Sequence, residues 1–544
     1  MKQHDIEIPH EDERKGWYRF FEILPAILSY GVFVAPFILA TFDPNLAAYY
    51  LVIYVLIWFA KAVAMSVRVL QGHSRVKKAK QLPWGKLLRD LDDPANNYAK
   101  YLHKPSRMLR IHGANLSHIK DRPKGDLLPK DIVHAVIIAT YNESQEIIHP
   151  TIESVLASSS VDSREKIAFF LAYEGRAGKE KEEESVDTVA EYKEQFMYAE
   201  AVKHEMMKGE IRGKGGNATF AGRRIREWAE ENNIDPSRIL VTVLDADNRP
   251  DKCYLAALEY SYIVADNRKK RSYQPIAMYV NNIWDVPAIM RLSATNNSFF
   301  HTANSMRLHA LRNFSAHSQS LDALIDSDYW SVRTIVEDGH QFWRMYFTYD
   351  GEHDVVPIYV PIYQDAVLAS TYKKTVIAQF KQIRRWTWGA SDIAYVATRS
   401  FFIPNKVPKW DAMLKFFRIL ENHVTWASSS LLLVVAGWVP ALLASGPDDS
   451  VIALQLPSVM AKINTIGLIA IFASMYIGVA TMPPRPKHYK RTRWVPFFLQ
   501  WLLIPVAGVI FNSMAAYYSQ TRLMLGKYFG DFDVTEKAVR KHKS

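Results

Sequence analysis

Long apolar stretches lie near both ends of the chain, and a more polar segment separates them. Two of the stretches are N-terminal, at residues 17–42 and 47–67, with a short break at 43–46. Three more follow much later, at residues 424–444, 463–482 and 494–518. Because about 20 helical residues span a hydrocarbon core of about 30 Å, each stretch is long enough to cross a bilayer. The pattern therefore predicts an integral membrane protein with several crossings.

The central segment, residues 131–396, alternates strand-like and helix-like patterns, which predicts an α/β fold with a mostly parallel sheet. Continuous apolar runs at 132–140, 166–173 and 238–244 are typical of strands buried on both faces. A helix-like segment follows the first run through Leu156, and the highly charged stretch 179–210 predicts a solvated helix. Ligands of open α/β sheets bind beyond the carboxyl ends of the strands, so the polar residues there are the first candidates for a site.

The distribution of Lys and Arg predicts how the chain is oriented in the membrane. The chain of 544 residues has a net charge of +11, and Lys and Arg cluster after the second apolar stretch and in the loop 485–493. The loops on the other side carry no such cluster, and one of them contains Asp448 and Asp449. By the positive-inside rule the N-terminus, the central domain and the basic loop face the cytoplasm. Topology thus accounts for the basic surplus, and no nucleic-acid partner is expected.

Two further features limit the alternatives. The single cysteine, Cys253, excludes a disulfide framework and a cysteine-based zinc site. The tail after residue 519 is basic, which favours a cytoplasmic location, whereas a fifth simple crossing would place it outside. We therefore expect the last apolar stretch, which contains Pro505, to bend or re-enter.

The first chemical signal is the carboxylate pair Asp245 and Asp247, directly after the third strand-like run. Two carboxylates at this spacing can share a hard divalent cation, which in turn can hold a diphosphate. Taken alone, the pair is better explained as a polar transition from strand to turn, with Pro250 ending the turn.

Two more motifs follow along the chain. Asp338, after Glu337, is a candidate general base for an acceptor hydroxyl, although a carboxylate there also suits the positive end of a helix. Gln382, Arg385 and Trp386 fall at i, i+3 and i+4, so they share one face of a predicted helix. An indole can stack on a sugar and Arg can bind a diphosphate, but a juxtamembrane Trp/Arg belt gives the same pattern.

In this order, the motifs resemble those of the inverting family 2 glycosyltransferases, in particular the membrane-embedded cellulose synthase-like and hyaluronan synthase-like group. The resemblance rests on segments 139–143, 213–217, 245–247, 337–338, 382–386 and 532–537. The last of these, in the tail, fits the F-x-V-T-x-K gating-loop motif of cellulose synthases. The resemblance implies a GT-A-type nucleotide-sugar-binding domain inserted between transmembrane helices.

On the donor side, the resemblance assigns a role to each matching residue. The donor-binding residues would be Thr140, Tyr141, Glu143, Glu174, Lys214, Asp245 and Asp247. Asp245 and Asp247 would also hold the metal ion, Mg²⁺ or Mn²⁺. Family members usually carry an aspartate where this chain has Glu174, but the longer carboxylate can still accept hydrogen bonds from a base or ribose. A UDP-sugar is the favoured donor.

On the acceptor side, Asp338 would be the catalytic base. The acceptor end and the pyrophosphate would be held by Glu337, Gln382, Arg385 and Trp386, and the gating loop would contribute Phe532, Val534, Thr535 and Lys537. Residues 317–322, before Asp338, lack the small-residue acceptor motif expected of a cellulose synthase. The identity of the acceptor is therefore not carried over from the family.

These observations predict a linear organisation. It comprises a cytoplasmic leader (1–16), two transmembrane helices (17–70), a basic juxtamembrane segment (71–130), the glycosyltransferase domain (131–396), amphipathic interface helices (397–423), a C-terminal transmembrane region (424–518) and a cytoplasmic gating-loop tail (519–544). We expect a multi-pass protein of a bacterial inner membrane, with membrane lipids around it and its catalytic domain in the cytoplasm.

Three functions remain open at this stage. The first is transfer of a sugar from a nucleotide-sugar donor to a growing polysaccharide, with repeated addition and coupled translocation. The second is a single transfer to polyprenyl phosphate or another lipid-linked acceptor. The third, a non-catalytic transporter or nucleotide-sugar sensor, is disfavoured because the candidate catalytic residues are all present.

Overall fold

The computed structural model describes residues 6–122, 126–158, 161–435, 458, 462, 475–530 and 538. The chain divides into two compact units, each discontinuous in sequence. The first unit comprises Met1–Ile8, Ser74–Met278 and Arg307–Gln364, and the second comprises Pro9–His73, Tyr279–Met306 and Asp365–Ser544. The segment 131–396 is thus shared between them, since its parts 279–306 and 365–396 belong to the second unit.

The first unit is built on a sheet that has eight strands among the described residues. They are β1 (Val133–Thr140), β2 (Ile167–Glu174), β3 (Tyr198–His204), β4 (Ile239–Asp245), β5 (Arg249–Pro250), β6 (Arg271–Tyr279), β7 (His317–Ser320) and β8 (Asp354–Gln364). Their order across the sheet is β3-β2-β1-β4-β7-β6-β8-β5. The block β3-β2-β1-β4 is parallel, whereas β7 runs antiparallel to β4 and β6, and β5 runs antiparallel to β8. The predicted α/β fold class is confirmed.

The sequence pattern located the central strands to within one residue at most ends, because β1, β2 and β4 are buried along nearly their whole length. The prediction of a solvated helix across 179–210 was wrong in its second half, where β3 forms the edge of the parallel block. An edge strand exposes part of its surface, so β3 can carry Glu200 and Lys203 and lacks the continuous apolar run that marks a buried strand.

Helices cover both faces of the sheet and continue into the second unit. The α-helices through residue 435 are α1 (Gly16–Phe42), α2 (Pro44–Lys80), α3 (Trp84–Asp90), α4 (Pro94–Asn97), α5 (Arg107–Ile119), α6 (Gln145–Leu156), α7 (Ser163–Lys166), α8 (Lys179–Tyr192), α9 (Lys214–Glu231), α10 (Tyr254–Val264), α11 (Ala288–Asn304), α12 (Leu321–Asp326), α13 (Glu337–Thr348), α14 (Tyr372–Thr387), α15 (Asp392–Phe401) and α16 (Lys409–Val435). The helix predicted through Leu156 is α6.

The core of the first unit lies on both sides of the sheet, because alternate strand residues point to opposite faces. Val136 and Ile138 of β1 pack in one apolar cluster, which includes residues of α3, α5, α6, α8 and α10. Ala135 and Ile137 pack in the other, which includes residues of α9 and α12. This double burial fixes the strands and therefore the positions of the polar residues at their ends.

Three helices are long and apolar enough to cross a membrane within the described part of the chain: Gly16–Phe42, Pro44–Lys80 and Arg491–Met524. The predicted break at 43–46 is shorter in the structure, since Asp43 alone separates α1 from α2 and Pro44 begins the second helix. Of the predicted stretch 424–444, residues up to Val435 are helical in α16, and the rest lies outside the described residues, as does most of 463–482. The predicted gating-loop residues 532–537 also lie outside them.

Candidate active site

The carboxyl ends of β1, β2 and β4 form one edge of the sheet in the first unit, and most of the predicted donor residues lie there. The parallel register pairs Ala139 with Asp245, so Thr140, which ends β1, is adjacent to the end of β4. Thr140 pairs with Tyr173 of β2, which places Glu174 one residue beyond. This is the edge at which open α/β sheets bind ligands.

The loop after β1 is organised by Glu143. Its Oε2 accepts hydrogen bonds from the Thr140 hydroxyl at 3.1 Å, from the Tyr141 N–H at 2.8 Å and from the Asn142 N–H at 3.1 Å. Three donors on one carboxylate oxygen hold the loop in a defined shape. In this structure Glu143 therefore stabilises the conformation of the loop that carries it.

Arg176 is a residue of this edge that the sequence pattern did not single out. Its guanidinium lies 4.2 Å from the centre of the Tyr141 ring and pairs with Glu174. The contact joins the loops after β1 and β2 through a cation–π interaction. Only its position two residues after Glu174 could have indicated from the sequence that Arg176 belongs to the site.

The start of α9 contributes a cation to the end of β4. Lys214 Nζ lies 2.5 Å from Asp245 Oδ1 and donates to the carbonyl of Ser315 at 2.7 Å. Asn217, one turn later, donates to the carbonyl oxygens of Ala172 at 2.9 Å and Thr140 at 3.3 Å. The first turn of α9 is thus bound to the ends of β1, β2 and β4 together.

Two glycines permit this close approach. A Cβ on Gly215 would lie 2.2 Å from the carbonyl oxygen of Ser331 and 3.1 Å from the Glu337 Cβ. A Cβ on Gly216 would lie 2.7 Å from His204 Cε1. The motif 213–217 therefore needs glycine at these positions because neighbouring chain segments occupy the space that a side chain would take.

Glu337 and Asp338 occupy the first turn of α13, the position that the alternative explanation of this motif expects. Burial and the nearby charges of Asp338 and Asp245 together raise the pKa of Glu337 to about 8, against the opposing charge of Lys214. Glu337 is therefore protonated at neutral pH and can donate a hydrogen bond. Asp338 is half-buried, and its Oδ1 accepts the N–H of Gly339 at 2.6 Å.

His317 supports the Lys214 contact from the other side. Its Nδ1–H donates to the carbonyl of Phe314 at 2.8 Å, and its Nε2 accepts from Trp330 Nε1–H at 2.9 Å, a pattern that requires this neutral tautomer. Burial lowers the pKa of His317 to about 4, so it stays neutral at physiological pH. The hydrogen bonds fix the segment that carries the Ser315 carbonyl.

Asp245 and Asp247 at the end of β4 are the residues that could hold a divalent cation, and a cation there could also bind a diphosphate. The Asp245 carboxylate pairs with Lys214, and the charges of Asp245 and Asp338 both raise the pKa of Glu337. Asn248, directly after Asp247, is fully buried, and neither of its amide atoms has a hydrogen-bond partner. The described residues contain no cluster of three or more His, Cys, Asp or Glu side chains suited to a metal. A two-carboxylate site completed by phosphate oxygens needs no such cluster.

Gln382, Arg385 and Trp386 belong to the second unit, where they share a half-buried face of α14. Gln379 donates to the side-chain oxygen of Gln382 at 3.2 Å, and the Trp386 ring lies 6.3 Å from the Tyr279 ring. The helix predicted for this motif is confirmed.

The chain on either side of the predicted gating loop also packs in the second unit. Before it, the Phe529 ring lies 4.9 Å from the Arg384 guanidinium of α14 and 4.5 Å from the Trp388 ring. After it, the Ala538 N–H donates to the carbonyl of Leu368 at 2.8 Å. Leu368 lies four residues before the start of α14, so both flanks of the loop contact the region of the Q-x-x-R-W helix.

Comparisons with known proteins give limited information. No family model and no curated protein matches the sequence. Among solved structures, the chain is similar to the mannosyltransferase PcManGT from Pyrobaculum calidifontis in complex with GDP-Man and Mn²⁺, at 14% identity and a TM-score of 0.36, over 82% of this chain and 98% of that one. It is also similar to GalNAc-T7 with UDP, GalNAc and Mn²⁺, at 12% identity and a TM-score of 0.30, over 54% and 55% of the two chains.

A third solved structure is S. aureus TarS, at 13% identity and a TM-score of 0.28, over 57% of this chain and 53% of that one. The chain thus spans about half of the second and third of these proteins. At such TM-scores these similarities do not identify the function of this chain.

Proposed function

We propose that this protein is a membrane-embedded, metal-dependent, inverting glycosyltransferase of family 2 with a GT-A-type catalytic domain. It transfers a sugar from a cytoplasmic nucleotide-sugar donor, with UDP-sugars favoured, to a growing polysaccharide. The observation that carries the proposal is the Lys214–Asp245 pair at the carboxyl edge of the sheet, together with the nearby carboxylates Glu337 and Asp338.

The proposed reaction is a direct displacement at the anomeric carbon of the donor. The acceptor oxygen forms a bond to that carbon, the bond from carbon to the diphosphate oxygen breaks, and Asp338 takes the proton of the acceptor hydroxyl. Lys214 pairs with the departing nucleoside diphosphate, and Glu337, protonated, donates a hydrogen bond within the site. A divalent ion held by Asp245 and Asp247 would supply charge neutralisation for the diphosphate.

The remaining donor contacts follow from the loops at the sheet edge. Thr140, Tyr141 and Glu174 lie there with Arg176, and the Tyr141–Arg176 stack offers a flat surface beside carboxylates that can bind a base or ribose. Glu143 shapes this surface by holding the loop after β1. Gln382, Arg385 and Trp386 are proposed to bind the acceptor end and the pyrophosphate.

Repeated addition, with translocation of the product, is the proposed mode of action. It is supported by the candidate membrane helices and by the contacts that flank residues 532–537, which are proposed to close over the donor through Phe532, Val534, Thr535 and Lys537. The second candidate is a single transfer to polyprenyl phosphate or another lipid acceptor. Product length separates the two, because a polymerase makes long chains and the alternative makes one-sugar lipids.

The first experiment is the release of nucleoside diphosphate by the detergent-solubilised protein from a panel of UDP- and GDP-sugars, with Mg²⁺ or Mn²⁺. We expect release from one donor in the presence of metal and its loss after chelation. Binding of Mn²⁺ plus UDP, measured by electron paramagnetic resonance, should weaken in Asp247→Asn and not in the exposed control Asp266→Asn. Metal-independent release, or equal Mn²⁺ binding in both variants, would contradict the assigned metal site.

A further inference from the structure

The buried guanidinium of Arg344, on α13, forms an ion pair with Glu7 near the N-terminus of the chain. Arg344 is fully buried and donates to the carbonyl oxygens of Ser327 at 2.8 Å, Asp328 at 3.0 Å and Tyr329 at 3.3 Å. It also pairs with the carboxylate of Glu7, at 3.2 Å. A folded protein is strongly destabilised when a buried cation loses its partner, so this contact fixes Glu7 within the first unit.

Glu7 and Ile8 make three further contacts with the loop 327–333. Glu7 accepts the hydroxyl of Ser331 and, at 3.4 Å, the N–H of Val332, and Arg333 donates to the carbonyl of Ile8 at 3.0 Å. The Glu7 side chain and the Ile8 carbonyl therefore both hold this loop. Each of these residues belongs to the first unit.

The same loop lies directly against the start of α9. The Ser331 carbonyl occupies the space where a Cβ on Gly215 would stand, and the Val332 carbonyl accepts the Ile211 N–H at 2.9 Å. The Trp330 carbonyl accepts the Thr219 hydroxyl at 2.9 Å. The loop thus contacts the chain on both sides of Lys214.

We propose that Glu7 is a positioning residue for the proposed glycosyl transfer. By neutralising Arg344 and holding Ser331, the leader keeps the loop 327–333 against α9, which keeps Lys214 at Asp245. The inference rests on the proposed function. It adds Glu7, which lies outside the carboxyl edge of the sheet and precedes the first candidate membrane helix in the sequence. Removing the Glu7 charge should therefore loosen the position of Lys214 without removing any group that touches the donor.

The test compares Glu7→Gln and Glu7→Asp with Glu11→Gln, the same substitution type at an exposed leader position. A small misplacement of a group that binds the leaving diphosphate lowers turnover, so we expect kcat to fall about 10- to 100-fold in Glu7→Gln. Glu7→Asp should recover part of the loss, and Glu11→Gln should match the wild type. An unchanged kcat in Glu7→Gln, or an equal loss in Glu11→Gln, would overturn the proposal.

A second measurement does not depend on activity. Hydrogen exchange should be faster in Glu7→Gln than in the wild type in the loop 327–333 and in the first turn of α9, with the central strands β1, β2 and β4 unchanged. Exchange that accelerates throughout the first unit, or a variant that fails to fold, would make Glu7 a general structural residue and overturn the positioning role. If the wild type releases no diphosphate from any donor, the proposed function fails while this readout still decides whether Glu7 holds the loop.

Discussion

Lys214 Nζ lies 2.5 Å from Asp245 Oδ1, although 31 residues separate the two along the chain. The pair joins the first turn of α9 to the end of β4, the point where the sheet offers a ligand site. Lys214 neutralises the Asp245 carboxylate here. In the proposed reaction, the charge of Lys214 pairs with the diphosphate of the donor. Each residue of 214–217 has its own role in this packing: Lys214 pairs with Asp245, the two glycines leave room for neighbouring segments, and Asn217 donates to the ends of β1 and β2.

Lys214→Met should lower kcat/KM about 100- to 1,000-fold, because it removes a preorganised charge from the leaving diphosphate. Lys214→Arg should retain more activity, since it keeps the charge. Steady-state kinetics with Lys208→Met, an exposed lysine of the preceding loop, provide the matched control. Equal activity of Lys214→Met and the control would exclude Lys214 from the site.

Glu337→Gln should be far milder than Asp338→Asn. Burial raises the pKa of Glu337 to about 8, so glutamine imitates the protonated form that is present at pH 7. We expect a loss of about 10-fold or less for Glu337→Gln and of several orders of magnitude for the proposed base. The two variants are compared by nucleoside diphosphate release at pH 7, and a reversed order would exchange the roles assigned to these carboxylates.

Gly215→Ala should destabilise the first unit by about 1–3 kcal/mol, because its Cβ would approach the Ser331 carbonyl oxygen to 2.2 Å and something must move. Gly339→Ala is the matched control, since a Cβ there meets nothing within 4 Å. Thermal unfolding of the two variants measures the difference. Equal melting temperatures would show that the start of α9 can accommodate a Cβ at position 215, which would contradict the close contact with Ser331.

Truncation after Phe529 should lower kcat by at least about 10-fold if residues 532–537 close over the donor, because the closed site excludes water and completes the donor contacts. Truncation after residue 540 keeps both the motif and the Ala538–Leu368 hydrogen bond and should leave kcat near the wild-type value. Initial rates at saturating donor distinguish the two. Full activity of the chain truncated after Phe529 would show that residues 532–537 do not act as a gating loop.

The contribution of Glu7 to stability should depend on pH. Burial acts to raise the pKa of Glu7, but the Arg344 charge and the Ser331 hydroxyl outweigh it, so the pKa lies below its usual 4.5. A carboxyl group with a lowered pKa stabilises the folded state above its unfolded pKa, and this contribution is lost as the pH falls through the folded value. The wild type should therefore melt above Glu7→Gln by a constant margin from pH 7 to 5, and the margin should shrink below pH 4.5. A margin that grew on acidification would contradict the ion pair.

Local patterns in the sequence predicted the parts of the fold that depend on local burial. The strands β1, β2 and β4 carry continuous apolar runs, so their positions were predicted closely, and the helical spacing of Gln382, Arg385 and Trp386 correctly placed that motif on a helix. The edge strand β3 was missed because one of its sides faces solvent and lacks that run.

The contacts that assemble the candidate site are long-range, and no local pattern encodes them. The Lys214–Asp245 pair and the Ser331–Gly215 approach depend on how separate elements pack. The Glu7–Arg344 pair joins residues 337 positions apart, at the two ends of the first unit in sequence. No pattern in the sequence singles out Glu7 or its partner Arg344, so the pair could be found only in the structure.

The most direct test of the central claim measures donor binding and donor turnover on the same preparations of wild type and Asp338→Asn. Binding is followed by calorimetry with the donor that supports release, and turnover by nucleoside diphosphate production. We predict that Asp338→Asn binds the donor with an affinity within a few-fold of the wild type while its turnover falls by several orders of magnitude. Turnover near the wild-type value in Asp338→Asn, with the donor still bound, would contradict the assignment of the catalytic base and the active site built around it.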